Sequence, residues 1–396
     1  NIYRDGLKVT VSINYRMQLH AEAAAEKHLA EMQSKFFQHW KGRVPWEGVP
    51  DLIDQAMKKS ERYKMMKEAG ASDSEIKTAF NEKYKMRIFA YNNGKYSEKD
   101  SVMSPLDSIK YYKYFLQPGL MAMDPHTGQI LAWVGSLDHK YFKYDHVNKT
   151  ASRQVGSTFK PFVYTLAVDN GWSPCDVAPN VPVVFEDYEN WSPRNSDGKE
   201  GGEMQLQRAL ANSVNHITAF LMKQLGPNGP KNVINLVRKM GISSPIEAVP
   251  SICLGTADIS VYEMVGAFAT FANKGVFTEP YYLVKIEDKN GTVLYNQVPQ
   301  TTEALSEQTA YVMVKMMEKV TQIGTGTRIR FRYGIPWDIP VYGKTGTTQN
   351  NSDAWFIGVH PQVAAGVWVG CDDRAVHFRS TDLGQGASLA LPIWAY

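Results

Sequence analysis

Arg153-Gln154-Val155-Gly156-Ser157-Thr158-Phe159-Lys160-Pro161 reads as a turn that opens a helix. Gly156 gives the backbone its freedom, and Pro161 fits a first turn, where the N–H groups lack intrahelical partners anyway. The apolar residues Phe162, Val163 and Leu166 carry the helix to a stop at Asn170-Gly171. With Ser157 at the helix start, Lys160 lies one turn on and on the same face. A serine hydroxyl is a weak nucleophile at neutral pH and needs a base within reach. A lysine one turn away is such a base if its surroundings keep it neutral. The helix N-terminus also favours negative charge developing nearby. Spacing alone does not select this serine, because Ser-x-x-Lys recurs at Ser74–Lys77 and Ser196–Lys199. Only Ser157 has a glycine before it and an apolar helix after it, the context that plants both side chains in a core.

The 396 residues suffice for two or three domains. With 43 % hydrophobic and 21 % charged residues, the chain is an ordinary globular one and not a disordered one. A net charge of +3 is too small to argue for nucleic acid. No unbroken apolar run reaches the ~18–20 residues of a membrane helix. Without a start methionine or signal-peptide pattern, Asn1 reads as a cut end within a larger protein. Cys175, Cys253 and Cys371 are too scattered for a zinc site or a disulfide framework.

Working outward, the chain begins with an alternating strand, Leu7–Ile13, and a helix bearing Met17, Ala21, Ala25, Leu29, Met32 and Phe36 on one face. Ser12-Ile13-Asn14 at that corner reads as a cap. A second helix is expected from about Asp51 to Gly70, and a third behind the capping box Ser72–Glu75. A hairpin should turn at Asn92-Asn93-Gly94. Ser104–Asp107 caps one more helix, expected to end at Gln117-Pro118-Gly119. Residues 1–118 therefore read as a linker or spacer module with a mostly helical insert, and 119–396 as the domain that carries the chemistry. Asp138-His139 and Asp145-His146 lack ligand spacing and read as solvated loop residues, so no metal is expected.

Two further polar groups stand out. Asn212-Ser213-Val214-Asn215 lies between the helical pattern of Leu206, Ala209 and Leu210 and an apolar helix from Ile217 to Leu225. A short loop there either caps a helix or aims Ser213 and Asn215 into a cleft. Val341–Thr348 contains the chain's one Lys-Thr-Gly, at Lys344-Thr345-Gly346. With Ala354–Val359 and Val363–Gly370 it suggests an antiparallel meander whose first strand carries Lys344. Gly346 lets a substrate backbone lie close, while Thr345 and Thr347 offer hydroxyls. The plain alternative is an edge strand with a solubilising lysine. Gly324-Thr325-Gly326-Thr327 reads as a simple turn, with the lining of a cleft as the alternative, and not as a phosphate loop.

Taken in order, Ser157-x-x-Lys160, Ser213-x-Asn215 and Lys344-Thr345-Gly346 resemble the motif set of active-site serine penicillin-recognising enzymes. The flanking text resembles the transpeptidase domain of class A penicillin-binding proteins: Asp124-Pro125-x-Thr127-Gly128, Leu254-Gly255-Thr256, Asp353-Ala354-Trp355-Phe356 and Trp368-Val369-Gly370. The likeness runs from about Leu120 to the C-terminus, plus the first strand and helix. It leaves about Lys41 to Tyr112 unassigned. It implies an α/β fold of α+β type, β-lactamase/transpeptidase-like, with an antiparallel sheet flanked by helices and a helical subdomain. It also implies a role for each residue. Ser157 attacks the penultimate D-Ala carbonyl of a peptidoglycan stem peptide, and Lys160, held neutral by burial and a positive Lys344, takes its proton. The N–H groups of Ser157 and Thr347 form the oxyanion hole. Ser213 relays a proton to the leaving D-Ala, and Asn215 holds Lys160 and a substrate amide. Lys344, Thr345 and Thr347 bind the terminal carboxylate.

The implied partners are donor and acceptor stem peptides, with β-lactams as covalent inhibitors, no cofactor, and the membrane only through a segment outside this stretch. The implied location is the periplasmic or extracytoplasmic face of the bacterial cytoplasmic membrane. No glycan-polymerising activity is expected of these residues. Rivals on the same scaffold are a D,D-carboxypeptidase, a β-lactamase or a non-turnover penicillin-binding sensor. The sequence is read as containing no Glu-x-x-Asn segment between Asn215 and Lys344, the spacing that places a water-orienting Glu in lactamases, which disfavours hydrolysis. A Ser-His-Asp hydrolase is a poor third, lacking the Gly-x-Ser-x-Gly elbow.

Overall fold

The computed structural model describes residues 4–396; Asn1, read above as a cut end, lies outside them. A five-stranded antiparallel sheet runs in the order Tyr342–Thr347, Asp353–His360, Val363–Gly370, Gln117–Met123, Ile130–Val134. The C-terminal meander thus pairs with a hairpin from more than 200 residues earlier, in the register Val367↔Leu120. Both faces are covered, so side chains alternate between two cores. Met121, Met123, Trp355, Ile357 and Trp368 face a helical layer with Phe162, Val163, Phe268 and Met316. Leu120, Ala122, Phe356 and Val367 face Ala25, Leu29 and Phe36 of the Tyr15–His39 helix, together with Leu391 and Ile393. Residues on both sides of the expected 118/119 division therefore share this second core.

The helix starts follow their caps. Asn14 accepts from Met17 N at 3.1 Å, and Ser72/Glu75 and Ser260/Glu263 form capping boxes. Asn93 and Gly94, at φ 51° and 77°, turn the hairpin between Tyr84–Asn92 and Lys95–Met103. A separate three-stranded sheet joins Lys8–Val11 to the hairpin Leu283–Glu287/Val293–Asn296.

Two local expectations are corrected. The stretch from 51 to 70 is two helices, Leu52–Lys59 and Glu61–Glu68. Ser60 leaves helical geometry at ψ 147° and its hydroxyl accepts from Tyr63 N, a local bond that competes with the helix. Gln117-Pro118-Gly119 does not stop a helix; that helix ends at Lys113, and the three residues begin a buried strand. Proline is tolerated there because the strand on one side pairs only from Leu120 onward. Among the described residues no helix is long and apolar enough to cross a membrane.

Candidate active site

The turn at Ser157 is built by backbone docking from three sides. The Ser152–Gln154 strand pairs with Asp258–Ser260, and a 3₁₀ turn over Gly156–Phe159 leads into the Lys160–Asp169 helix. Gly156, at φ +53°, donates its N–H to Gly255 O at 2.9 Å, and a Cβ on it would lie 2.8 Å from Thr347 O. A Cβ on Gly346 would lie 2.7 Å from Val155 O. Glycine at both positions lets the Lys-Thr-Gly strand press against the turn, with the backbones of Gly156 and Thr347 in close approach.

Behind the turn, Arg153 donates to Asp353 Oδ1 at 2.7 Å and to the carbonyls of Cys371 and Asp372. Trp368 Nε1 also donates to Asp353, and the guanidinium lies over the Trp368 ring. Trp355 Nε1 donates to Gln154 O at 2.9 Å. These bonds pin the strand entering the turn to the central sheet.

Four of the expected side chains meet beside it. Lys160 Nζ donates to Ser213 O (2.5 Å), Asn215 Oδ1 (2.6 Å) and Ser213 Oγ (3.2 Å). Lys344 Nζ donates to Ser213 Oγ (2.8 Å) and Thr345 O (3.0 Å). Ser213 is thus the bridge between two lysines that are both fully buried. Its φ of +58° is rare for a non-glycine residue, and this conformation turns both its carbonyl and its hydroxyl towards Lys160. Ser157 is half-buried, and the bonds of Lys160 go to Ser213 and Asn215, not to it. Such catalytic contacts often tighten only in the substrate complex.

Burial lowers the Lys160 ammonium to about 7. Burial first, and the Lys160 charge second, push Lys344 well below its ordinary value. Both lysines are thus pushed towards the neutral form; Lys160 faces three acceptors and Lys344 two. Lys344 is not a solubilising surface lysine, although its strand does lie at the sheet edge.

The sequence profile of the penicillin-binding protein transpeptidase domain matches residues 118–372, and that of the penicillin-binding protein middle domain matches 39–116. The chain belongs to the penicillin-binding protein transpeptidase family. Relatives of the transpeptidase domain include penicillin-binding protein 1A of Aquifex aeolicus, 34 % identical over 285 residues (70 % of this chain, 37 % of that protein). Penicillin-binding protein 2D of Bacillus subtilis is 33 % identical over 291 residues (71 % and 40 %). The chain therefore spans little more than a third of these relatives' length. Among solved structures, penicillin-binding protein 1A from Haemophilus influenzae aligns with TM-score 0.74 at 20 % identity, covering 99 % of this chain and 66 % of that one. PonA1 from Mycobacterium tuberculosis in complex with penicillin V aligns with TM-score 0.61 at 21 % identity (87 % and 91 %). At such identities these likenesses show the fold: a penicillin-binding transpeptidase fold of mixed helix and sheet.

The transpeptidase domain draws on residues that no motif singled out. Asn195 Oδ1 accepts from the N–H groups of Asn215 and His216, and Arg194 O accepts from Asn215 Nδ2. Gly386 N donates to Thr347 Oγ1 at 3.1 Å. Thr325, read above as part of a simple turn, has its hydroxyl 2.6 Å from that of Thr345. Asn195 and Thr325 lie in loops, where periodicity carries no signal. The other Ser-x-x-Lys and Ser-x-Asn matches stay apart from this cluster. Ser74 is in the Asp73–Asn81 helix, Ser196 and Lys199 are exposed, and Ser12 Oγ donates to Ile130 O. A Glu-x-x-Asn spacing does occur between Asn215 and Lys344, at Glu287–Asn290, contrary to the sequence reading. It lies in the separate three-stranded sheet, where Glu287 pairs with Lys285 and Lys8. Among the described residues no group of three or more His, Cys, Asp or Glu side chains is arranged to hold a metal.

Proposed function

We propose that the chain is a D,D-transpeptidase unit that cross-links peptidoglycan stem peptides through an acyl-enzyme on Ser157, with residues 1–118 as linker and spacer. The convergence of Lys160 and Lys344 on Ser213 beside the Ser157 turn carries this reading. Ser157 Oγ attacks the penultimate D-Ala carbonyl carbon, and its proton passes to neutral Lys160 Nζ. The resulting oxyanion takes hydrogen bonds from the N–H groups of Ser157 and Thr347, each such donor being worth roughly 10²–10³ in rate. Collapse breaks the C–N bond, and the departing D-Ala nitrogen takes a proton through the Ser213 hydroxyl. An acceptor amine then attacks the ester and Ser157 regains its proton.

The site's electrostatics give the substrate carboxylate a part in starting this sequence. An anion beside Thr345 and Thr347 favours an ammonium on Lys344. A positive Lys344 in turn favours a neutral Lys160, the base that takes the Ser157 proton. β-Lactams, which carry a carboxylate and a strained amide, acylate Ser157 on this reading and are not released quickly. The location is extracytoplasmic, and these residues polymerise no glycan.

Intact-mass measurement after exposure to benzylpenicillin, with Ser157→Ala alongside, tests the acyl-enzyme. A lasting adduct on the wild type alone is expected. Aminolysis of a D-Ala-D-Ala peptide mimic separates a cross-linker from a sensor, and rapid loss of the adduct would instead indicate a lactamase.

A further inference from the structure

Thr325 ties two catalytic elements together. It sits in the turn between the Glu307–Gln322 helix and the short Arg328–Phe331 helix. Its N–H donates to Ala211 O at 3.1 Å, at the end of the helix that delivers Ser213 two residues later. The approach is close because Gly324 has no side chain; a Cβ there would lie 2.1 Å from Ala211 O. Its hydroxyl meets Thr345 Oγ1 at 2.6 Å on the Lys-Thr-Gly strand. Thr345 is 6 % exposed, while Thr325 is half-buried.

A hydroxyl has one hydrogen and two acceptor lone pairs, so only one member of a bonded pair donates within it. When Thr325 donates, the Thr345 hydrogen is free to point outward and is polarised by the bond it accepts. A carboxylate, which only accepts, is the ligand such a donor suits. We propose that Thr325 is a positioning residue for recognition of the acyl donor's terminal carboxylate, acting by orienting the Thr345 hydroxyl. The inference rests on the acyl-transfer reading above and adds to it a residue outside the three motifs.

The test compares acylation rate constants at low ligand concentration for benzylpenicillin and for its methyl ester, which lacks the anionic carboxylate. Wild type, Thr325→Val, Thr325→Ala and Thr325→Ser are measured side by side, with thermal melting to confirm folding. A hydrogen bond to a charged group corresponds to about ten- to a hundredfold in rate. Thr325→Val and Thr325→Ala should lose about that factor with the free acid and change less than about twofold with the ester, while Thr325→Ser stays near wild type. Equal losses with acid and ester would mark a merely structural role and overturn the proposal, as would no loss with either. If wild type itself forms no adduct at Ser157, the acyl-transfer reading fails and this inference falls with it, a result visible before any variant is compared.

Discussion

Replacing Gly255 with alanine should displace the Ser157 turn without touching any side chain of the site. Gly255 is left-handed at φ +77°, and an added Cβ would lie 1.8 Å from Gly156 O, 2.5 Å from Gly156 C and 2.7 Å from Gly156 N. Contacts below 3.0 Å are essentially never seen for a real Cβ, so the two backbones must part by about 1.2 Å (3.0 minus 1.8). The same movement strains the bond from Gly156 N to Gly255 O. A left-handed alanine costs roughly 1–2 kcal/mol and the overpacking about 1–3 kcal/mol, together about 2–5 kcal/mol of stability. Misplacement of a reacting atom by about 1 Å typically costs on the order of 10²-fold in rate. Stopped-flow acylation with a chromogenic cephalosporin, alongside urea unfolding, measures both effects. Gly171→Ala is the control, since that glycine has φ +94° and nothing within 4 Å of an added Cβ. It should lose only the conformational 1–2 kcal/mol and keep the wild-type rate. Wild-type acylation by Gly255→Ala would refute the claim that this loop clamps the nucleophile turn.

Acylation should rise with pH through about 7, because Lys160 is lowered from 10.5 to about 7 and accepts a proton only when neutral. Below that value the rate should fall about tenfold per pH unit, and a flat profile from pH 5 to 9 would exclude Lys160 as the base. The sign for stability is the same. Between about 7 and 10.5 the unfolded chain binds the proton that folded Lys160 has shed, so this group makes the protein more stable as pH rises across that window. Asp353→Asn strands the buried Arg153 charge and should cost about 3–5 kcal/mol in urea unfolding. A loss below about 1 kcal/mol would mean the pair does not hold the strand to the sheet. Asn195→Ala removes the acceptor for the N–H groups of Asn215 and His216, and should cost roughly 1–2 kcal/mol. It should also slow acylation, by loosening Asn215 against Lys160; unchanged kinetics would show that the helix start holds without it.

Much of the fold is written locally. The caps at Asn14, Ser72 and Ser104, the Asn93-Gly94 turn and the alternating strands each depend on neighbours a few residues away, so chain order alone reveals them. Lys344 on the first strand of a meander and Lys160 one turn after Ser157 are readable for the same reason. Where a segment's local chemistry is ambiguous the reading failed: Gln117-Pro118-Gly119 has the composition of a helix stop, but its pairing with Trp368-Val369-Gly370 makes it a strand.

The site itself is a tertiary object. The strand order that joins residues 117–123 to 363–370, the buried Arg153–Asp353 pair 200 residues apart, and the Thr325–Thr345 contact all arise from long-range packing. So does the protonation of the two lysines. The sequence supplied two basic side chains at recognisable positions, but the lowering of both depends on how much water each retains and how near they lie to one another. Residue type and spacing determined which groups were available for acyl transfer. Burial and proximity, properties of the folded whole, decided that both lysines are pushed towards the neutral form.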